Sequence, residues 1–328
     1  MYSQTKLQII KIIEKNENIR VRDLVKKLKL TQAAVHRALN SLIQDGVLEK
    51  KGTPPLVFYS LKSKSLNKLR PEISAEQEQI LKDHYMYITP TGSIVSGLEG
   101  FLTWMHETKN AQKPENCIQD YLKVLHEAES HKNNMGLIEA TERFQKIFQQ
   151  VFLDKIYYYA FYSLIKFGKT KTGQYLLHGK QAQNRQIIAL IASDIKSSLL
   201  ELIKKEKVDA VAWVPHSIPR KVSFLKELES NLKIDLPTIE IVKVYKGAIP
   251  IAQKSLSKIE ERIRNADETM IVVPLSITYK KVLLIDDAVG SGSTMNELAK
   301  KLKQKGANQV IGFAIVGSYK GFEVIKEV

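Results

Sequence analysis

The chain has 328 residues, enough for about two domains, and its 44% apolar and 8% aromatic content predicts a packed core and excludes a wholly disordered polymer. Its single cysteine, Cys117, excludes an intramolecular disulfide and fits a reducing compartment, and no uninterrupted apolar run reaches the roughly 18 residues of a membrane span. The formal charge of +15 is uneven. It is net +10 over residues 1–70 (15 basic, 5 acidic), −5 over 71–150 (7 basic, 12 acidic) and +10 over 151–328 (28 basic, 18 acidic). This pattern predicts three units, and basic surface of this kind commonly meets nucleic acid or phosphorylated small molecules. Charges interrupt the apolar positions of the first twenty residues and no small-residue cleavage site follows, so the N-terminus does not read as a secretory signal. The expectation is a soluble cytoplasmic protein with no membrane partner.

In chain order, Leu7, Ile9, Ile10 and Ile13 make the apolar face of a first helix. A second, short helix follows in VRDLVKKLKL, with Val21, Leu24, Val25 and Leu28 on its buried side. Thr31 stands at an N-cap position before a third helix over 31–45, where Val35, Leu39, Leu42 and Ile43 form a stripe and Gly46 closes the end. Two β-rich runs in VLEKKGTPPLVFYSL, divided by a Gly/Pro turn, predict a hairpin. Three helices and a hairpin over residues 1–62 resemble the winged helix-turn-helix domains of many bacterial transcription regulators. In that plan the third helix enters the major groove. The resemblance therefore makes Gln32, Ala33, His36, Arg37 and Asn40 candidates for base edges, and Lys50 and Lys51 on the wing candidates for phosphates of DNA or RNA. Winged helices also dock proteins, and that alternative stays open.

Residues 71–150 read as a mainly helical linker or interaction segment, open to homo-oligomer formation, with no recognisable chemistry. YITPTGSIVSGLEGFLTWM interrupts the helical pattern at Pro90, Gly92, Gly97 and Gly100, and Phe101 and Trp104 read as core or interface residues. His106, His126 and His131 lack metal-ligand spacing. HKNNMG, at 131–136, is a loop signal, and LIEATERFQKIFQQVF, at 137–152, predicts an amphipathic helix.

Residues 151–328 alternate. Helices are predicted over 186–206, 223–232, 255–266 and 293–307, and strands in DAVAWVP, TIEIVKVY, KVLLID and QVIGFAIVG. Near-continuous apolar strands between amphipathic helices imply an α/β fold with a mainly parallel sheet covered on both faces, whose ligands bind beyond the carboxyl ends of the strands. VLLIDDAVGSGST, at 282–294, lies at such an end. Asp286 and Asp287 are acceptor-only groups suited to the neighbouring hydroxyls of a ribose. The loop after them offers backbone N–H groups, the hydroxyls of Ser291, Ser293 and Thr294, and a helix N-terminus, all favourable to phosphate. Gly290 and Gly292 allow close backbone approach. Two carboxylates would repel a phosphate unless a sugar separated them, which points to a ribose 5-phosphate. Neither GxGxxG nor GxxxxGK[ST] is present, so dinucleotide and P-loop sites are not supported.

This stretch resembles the phosphoribosyl diphosphate (PRPP) signature of type I phosphoribosyltransferases. The resemblance implies that Asp286 and Asp287 hold the ribose hydroxyls and contact Mg²⁺. It also implies that Ala288, Val289, Gly290, Ser291, Gly292, Ser293 and Thr294 cradle the 5-phosphate. A narrower likeness is to the ComF subgroup, carried by FYSLIKFGKTKTG, VAWVPHSIPRK and, through Gln253, Leu256, Arg262 and Asn265, AQKSLSKIEERIRNA. It departs from that subgroup in the spacing of Gln253 to Arg262 and in KVSFLKELE after the basic loop. For the diphosphate, His216, Ser217, Arg220 and Lys221 follow the strand 211–214, with Lys243 or Lys246 after the next one. A solvated basic surface is an equal reading of these lysines.

Three functions follow as expectations. The first is Mg²⁺-dependent transfer of ribose 5-phosphate from PRPP to an acceptor. The second is a non-catalytic regulator that senses PRPP or a nucleotide and biases DNA binding. The third, by architecture alone, is an effector of a bacterial antiviral defence system of the retron kind, engaging a reverse transcriptase–DNA complex or another protein partner.

Overall fold

The computed structural model describes residues 3–16, 18–61, 71–216, 221–245, 247, 255, 256 and 258–319. The chain divides into two compact units, Met1–Arg70 and Pro71–Val328.

In the first unit, α1 (Gln4–Glu14), α2 (Val21–Leu28) and α3 (Gln32–Gln44) precede an antiparallel hairpin of β1 (Leu48–Lys51) and β2 (Phe58–Leu61). The side chain of Thr31 caps α3 by accepting from Ala34 N–H, and Gly46 follows the helix at φ +69°. Ile9, Ile13, Ile19, Leu24, Val35, Leu39, Leu42, Leu48 and Tyr59 form its own core. Leu7, expected on the apolar face of α1, is 48% exposed, and of the four apolar residues of α2 only Leu24 is buried. An extra bridge of Ile19 to Tyr59 ties the chain before α2 to the wing.

The second unit opens with α4 (Ala75–His84), a hairpin of β3 (Met86–Ile88) and β4 (Ile94–Ser96), α5 (Gly97–Glu107) and α6 (Pro114–Ser130). The predicted helix over 137–152 is not formed. Ile138 and Glu139 instead make β5, pairing antiparallel with Tyr158 and Tyr157, and only Thr141–Gln145 is helical (α7). An open sheet edge captures the backbone there, because unpaired strand N–H and C=O groups gain partners that an isolated helix start lacks.

The remaining elements are β6 (Lys155–Phe161), the ribbon β7 (Ser163–Leu164) and β8 (Gly168–Lys169), α8 (Lys171–Gln181), α9 (Arg185–Glu206), β9 (Ala210–Trp213), α10 (Phe224–Leu232), β10 (Thr238–Ile239), β11 (Ile241–Lys243), α11 (Ile259–Thr269), β12 (Met270–Val272), β13 (Lys281–Val289), α12 (Ser293–Gln304) and β14 (Gln309–Gly317). Six strands form one sheet in the order β10-β9-β13-β14-β6-β5, parallel except for β5. The predicted strand 238–245 is split. β10 joins the main sheet, whereas β11 turns away to pair antiparallel with β12. β6 and α8 have no counterpart in the sequence reading: KIYYYAF lacks alternation, and Gly173 and Gly179 blur the helical period of α8.

Residues 71–150 share their core with the sheet. Tyr85, Phe101 and Tyr121 meet Phe167 of the C-terminal half in one aromatic cluster, with ring centroids 4.9 Å apart for Tyr85–Phe101 and 5.4 Å for Tyr121–Phe167. Edge-to-face contacts of this kind are worth about 0.5–1.5 kcal/mol each beyond area burial.

Candidate functional site

Strand β13 carries VLLI into the middle of the sheet, fully buried, and continues through Asp286 and Asp287 to Val289. It is longer than the predicted KVLLID because Ala288 and Val289 still pair with Val316 and Gly317. Side chains alternate along a strand. Leu284 lies opposite Gly312, which abuts Met295 of α12, so Asp286 leaves the sheet on the α12 side. Asp287 leaves on the other side, where Lys180 Nζ of α8 sits 2.7 Å from its Oδ2. The two carboxylates therefore do not make one flat acidic face. Each meets its surroundings from its own side of the strand.

Burial first, and then the negative charge of Asp287, push the Asp286 carboxyl up to about 8. The Asp287 backbone N–H, donating to Asp286 Oδ1 at 2.8 Å, and the nearby Lys180 pull it the other way.

The turn after the pair is built tightly. Gly292 has φ +75° and is the N-cap of α12, and a Cβ there would lie 2.3 Å from Phe144 Cε2. Only glycine meets both demands. Gly292 brings no capping side chain, and in the first turn of α12 Ser291 Oγ accepts from Ser293 N–H only at a long 3.5 Å. Ser291 and Ser293 are buried, and their hydroxyls hydrogen-bond each other at 3.0 Å. Thr294, half-buried, is the more accessible hydroxyl of the expected cradle. Val289 is buried in the core, whereas Ala288 and Gly290 are half-buried beside the turn. Asn296 anchors the start of α12 by accepting from Phe152 N–H and donating to Gln150 C=O.

Strand β9 lies parallel to β13, and Val214 N–H donates to Ile285 C=O, so His216 emerges at the same sheet edge as the acidic pair. His216 and Lys221 are exposed, while Ser217, Arg220, Lys246 and Gln253 lie outside the described residues. Lys243 follows β10 but is not on a strand of the main sheet. It belongs to the side ribbon and donates to Asn265 at 3.0 Å, and burial holds its ammonium below the usual lysine range. Arg262 is buried, with Nε donating to Leu256 C=O, so Leu256, Arg262 and Asn265 help to hold the α11 region together.

Three residues at the site had no sequence signal. Lys180 stands 107 positions before Asp287, on a helix that begins beside Tyr162 at the end of β6 and reaches β13 two strands away. Phe144 buttresses Gly292. Trp213, opposite Ile285 in register, has a buried indole N–H with no hydrogen-bond partner among the described residues.

Carboxylate oxygens suit a hard divalent cation in kind. In number they do not make a cage. Among the described residues no three Asp, Glu, His or Cys converge, and Asp287 already faces a lysine. The residues fit a cation whose shell is completed by ligand phosphates and water.

In the first unit, Gln32, Ala33, Arg37 and Asn40 are exposed along α3, and His36 is half-buried. Lys50 and Lys51 are exposed on β1, and Lys51 pairs with Glu49 at 2.9 Å. Such a face can present hydrogen-bonding groups to base edges and cations to phosphates. Among the described residues no helix is long and apolar enough to cross a membrane.

Residues 2–49 match the family model of winged helix-turn-helix DNA-binding domains, and residues 188–321 match that of the phosphoribosyl transferase domain. The chain thus carries an N-terminal winged helix-turn-helix and a C-terminal phosphoribosyltransferase domain. Neither match spans half the chain, and the ComF likeness has no counterpart in them. No curated protein matches the chain. Among solved structures, a hypoxanthine phosphoribosyltransferase from Staphylococcus aureus is 15% identical, with 42% of this chain and 67% of that one covered and a TM-score of 0.26. A purine phosphoribosyltransferase from Pyrococcus horikoshii is 17% identical, with 39% and 82% covered and a TM-score of 0.24. A hypoxanthine-guanine phosphoribosyltransferase from Bacillus anthracis is 12% identical, with 42% and 71% covered and a TM-score of 0.26. Likeness at this level assigns no role to any residue here.

Proposed function

We propose that the protein binds PRPP or a related ribose 5-phosphate at the carboxyl end of β13 and transfers ribose 5-phosphate to an acceptor, with a winged helix that contacts nucleic acid. One observation carries the reading: an acidic pair at the end of a parallel strand runs directly into a glycine turn and a helix N-terminus whose N-cap is a glycine. Polar groups for a ribose and a dipole for a phosphate stand a few residues apart.

In this reading Asp286 and Asp287 accept from the ribose hydroxyls, and the amides from Gly290 to Thr294 hold the 5-phosphate. His216, Ser217, Arg220 and Lys221, following β9, meet the diphosphate. Transfer breaks the bond from the anomeric carbon to the diphosphate oxygen and forms one to the acceptor. Developing positive charge at that carbon is favoured by nearby carboxylates, and the released electron pair leaves with the diphosphate. When bound, Mg²⁺ supplies charge neutralisation to that leaving group. The experiment is a pyrophosphate-release assay with PRPP and Mg²⁺, across nucleobases, nucleotides and DNA as acceptors. Release that depends on an acceptor and vanishes in Asp286→Asn/Asp287→Asn supports transfer. Binding without release under every condition rejects it.

The second reading, a ligand-sensing regulator, is favoured by the DNA-binding family match at 2–49. There PRPP would shift DNA affinity, and DNA would shift PRPP affinity by the same factor, about 5- to 150-fold for a typical coupling. A DNA titration with and without saturating PRPP and Mg²⁺ decides it, and superimposable curves end the regulator reading.

A further inference from the structure

Lys180 occupies a place that neither the motif nor the family match accounts for. Its ammonium lies 2.7 Å from Asp287 Oδ2, and the two side chains are only 16% and 17% exposed. Removing two charges from water is costly, so a partly buried pair at a ligand site calls for an explanation beyond stability. The position of Lys180 is set from outside the pair. The preceding residue, Gly179, is pressed against α9 and α10, where a Cβ would lie 3.3 Å from Ile187 Cγ2 and 3.5 Å from Phe224 Cε2. At the other end of the helix, Gly173 abuts the Tyr162 carbonyl, so α8 is fixed at both ends across the strand edge. The lysine is thus delivered to Asp287 by packed backbone.

Without that ammonium, the neighbouring carboxylates of Asp286 and Asp287, although they leave β13 on opposite sides, would lose the cation that Asp287 faces. Such a pair attracts divalent ions from bulk solvent and repels a polyanionic ligand. We propose that Lys180 is the built-in counter-ion of the acidic pair. It keeps a free divalent cation away from the carboxylates, so that the cation enters only with its phosphorylated ligand, and it makes the site selective for ribose carrying phosphate. The ligand half of this inference rests on the reading proposed above, and the cation half does not. Lys180 is a positioning residue for the approach of ligand and cation. The anion-binding cations expected after β9 act on the diphosphate, whereas Lys180 acts on the carboxylates.

The test uses the full chain and Mn²⁺ as the probe, titrated at pH 8 without any phosphorylated ligand and followed by the electron paramagnetic resonance of free Mn²⁺. Lys180→Met keeps the aliphatic stem and removes the charge, Lys180→Arg keeps the charge, and thermal melts establish that each variant is folded. Lys180→Met should bind Mn²⁺ at least about tenfold more tightly than the wild type, because a like charge next to the cation has been removed, and Lys180→Arg should match the wild type. Equal Mn²⁺ affinity in wild type and folded Lys180→Met overturns the proposal. Should Lys180→Met not fold, Lys180→Gln takes its place with the same expectation. Calorimetry with PRPP and Mg²⁺ is the second arm, and Lys180→Met should lose about tenfold in affinity there while uncharged ribose is unaffected. If PRPP fails to bind the wild type, the functional reading falls, but the Mn²⁺ comparison still decides the role of Lys180.

Discussion

Helix α3 of the first unit and the acidic strand end of the second both gather polar residues, but in opposite dielectric settings. On α3, Gln32, Arg37 and Asn40 stand in water on a helix whose other face is locked by Val35, Leu39 and Leu42. At β13, Asp286 and Asp287 are half-buried, and Asp286 is hydrogen-bonded to backbone while Asp287 is paired with Lys180. Exposed groups act through many weak, salt-screened contacts, whereas groups withdrawn from water act through a few strong ones. Substitutions at β13 should therefore be large and insensitive to salt, and those on the winged helix smaller and governed by ionic strength.

The sharpest way to break this contrast is Asp286→Asn with Asp287→Asn. Above about pH 8, where Asp286 too carries its charge, loss of two charge-assisted interactions, about 1.5–3 kcal/mol each, should weaken PRPP binding by at least about 100-fold in calorimetry. A tenfold change or less would put the β13 site in the same class as the surface.

Next in size is Gly292→Ala. It forces a left-handed alanine and drives a Cβ into Phe144, so thermal unfolding should show a loss of about 2–4 kcal/mol. An unchanged melting curve would mean that the turn is far softer than its packing implies. Arg37→Ala should cost about 1–3 kcal/mol at a specific DNA site in a fluorescence titration if its guanidinium meets a base edge. A uniform loss over all sequences would make Arg37 a phosphate contact.

The effect of pH on stability sharpens the comparison further. Burial and Asp287 raise the Asp286 pKa above that of an unfolded aspartate. Between about pH 4 and the raised value near 8, the native state holds a proton that the unfolded chain has released. The resulting stability is complete below the unfolded pKa and is lost as pH rises through that window. In the ligand-free protein, Asp286→Asn should therefore gain in melting temperature over the wild type from pH 5 to pH 8, and a constant difference would show that Asp286 carries no such shift. The smallest effect is expected on the wing. Lys50→Ala with Lys51→Ala should reduce the salt slope of DNA binding by about 2, or by less if Glu49 already neutralises Lys51.

Much of the architecture is local and was legible in the chain. The N-cap Thr31 and terminal Gly46 bound α3, because capping chemistry needs only neighbouring residues. The alternation of apolar strands with amphipathic helices after residue 186 announced a parallel sheet, and VLLIDDAVGSGST runs off the carboxyl end of one of its strands, β13. Where one short segment could be read two ways, the reading failed. LIEATERFQKIFQQVF has the apolar spacing of a helix, yet β6 offered Ile138 and Glu139 an unpaired edge, and that edge is itself the product of a strand with no alternation to announce it.

By itself, then, the sequence determined the winged three-helix unit, the parallel sheet and the adjacency of two carboxylates to a glycine turn, since each depends on residues close in the chain. Tertiary structure alone decided which groups those carboxylates meet. Strand alternation sent Asp286 and Asp287 to opposite faces, the chain between β6 and β9 brought Lys180 across two strands to Asp287, and α7 placed the ring of Phe144 where only Gly292 can pass. Contacts between residues more than a hundred positions apart leave no spacing to read, because they arise only when separately legible elements pack together.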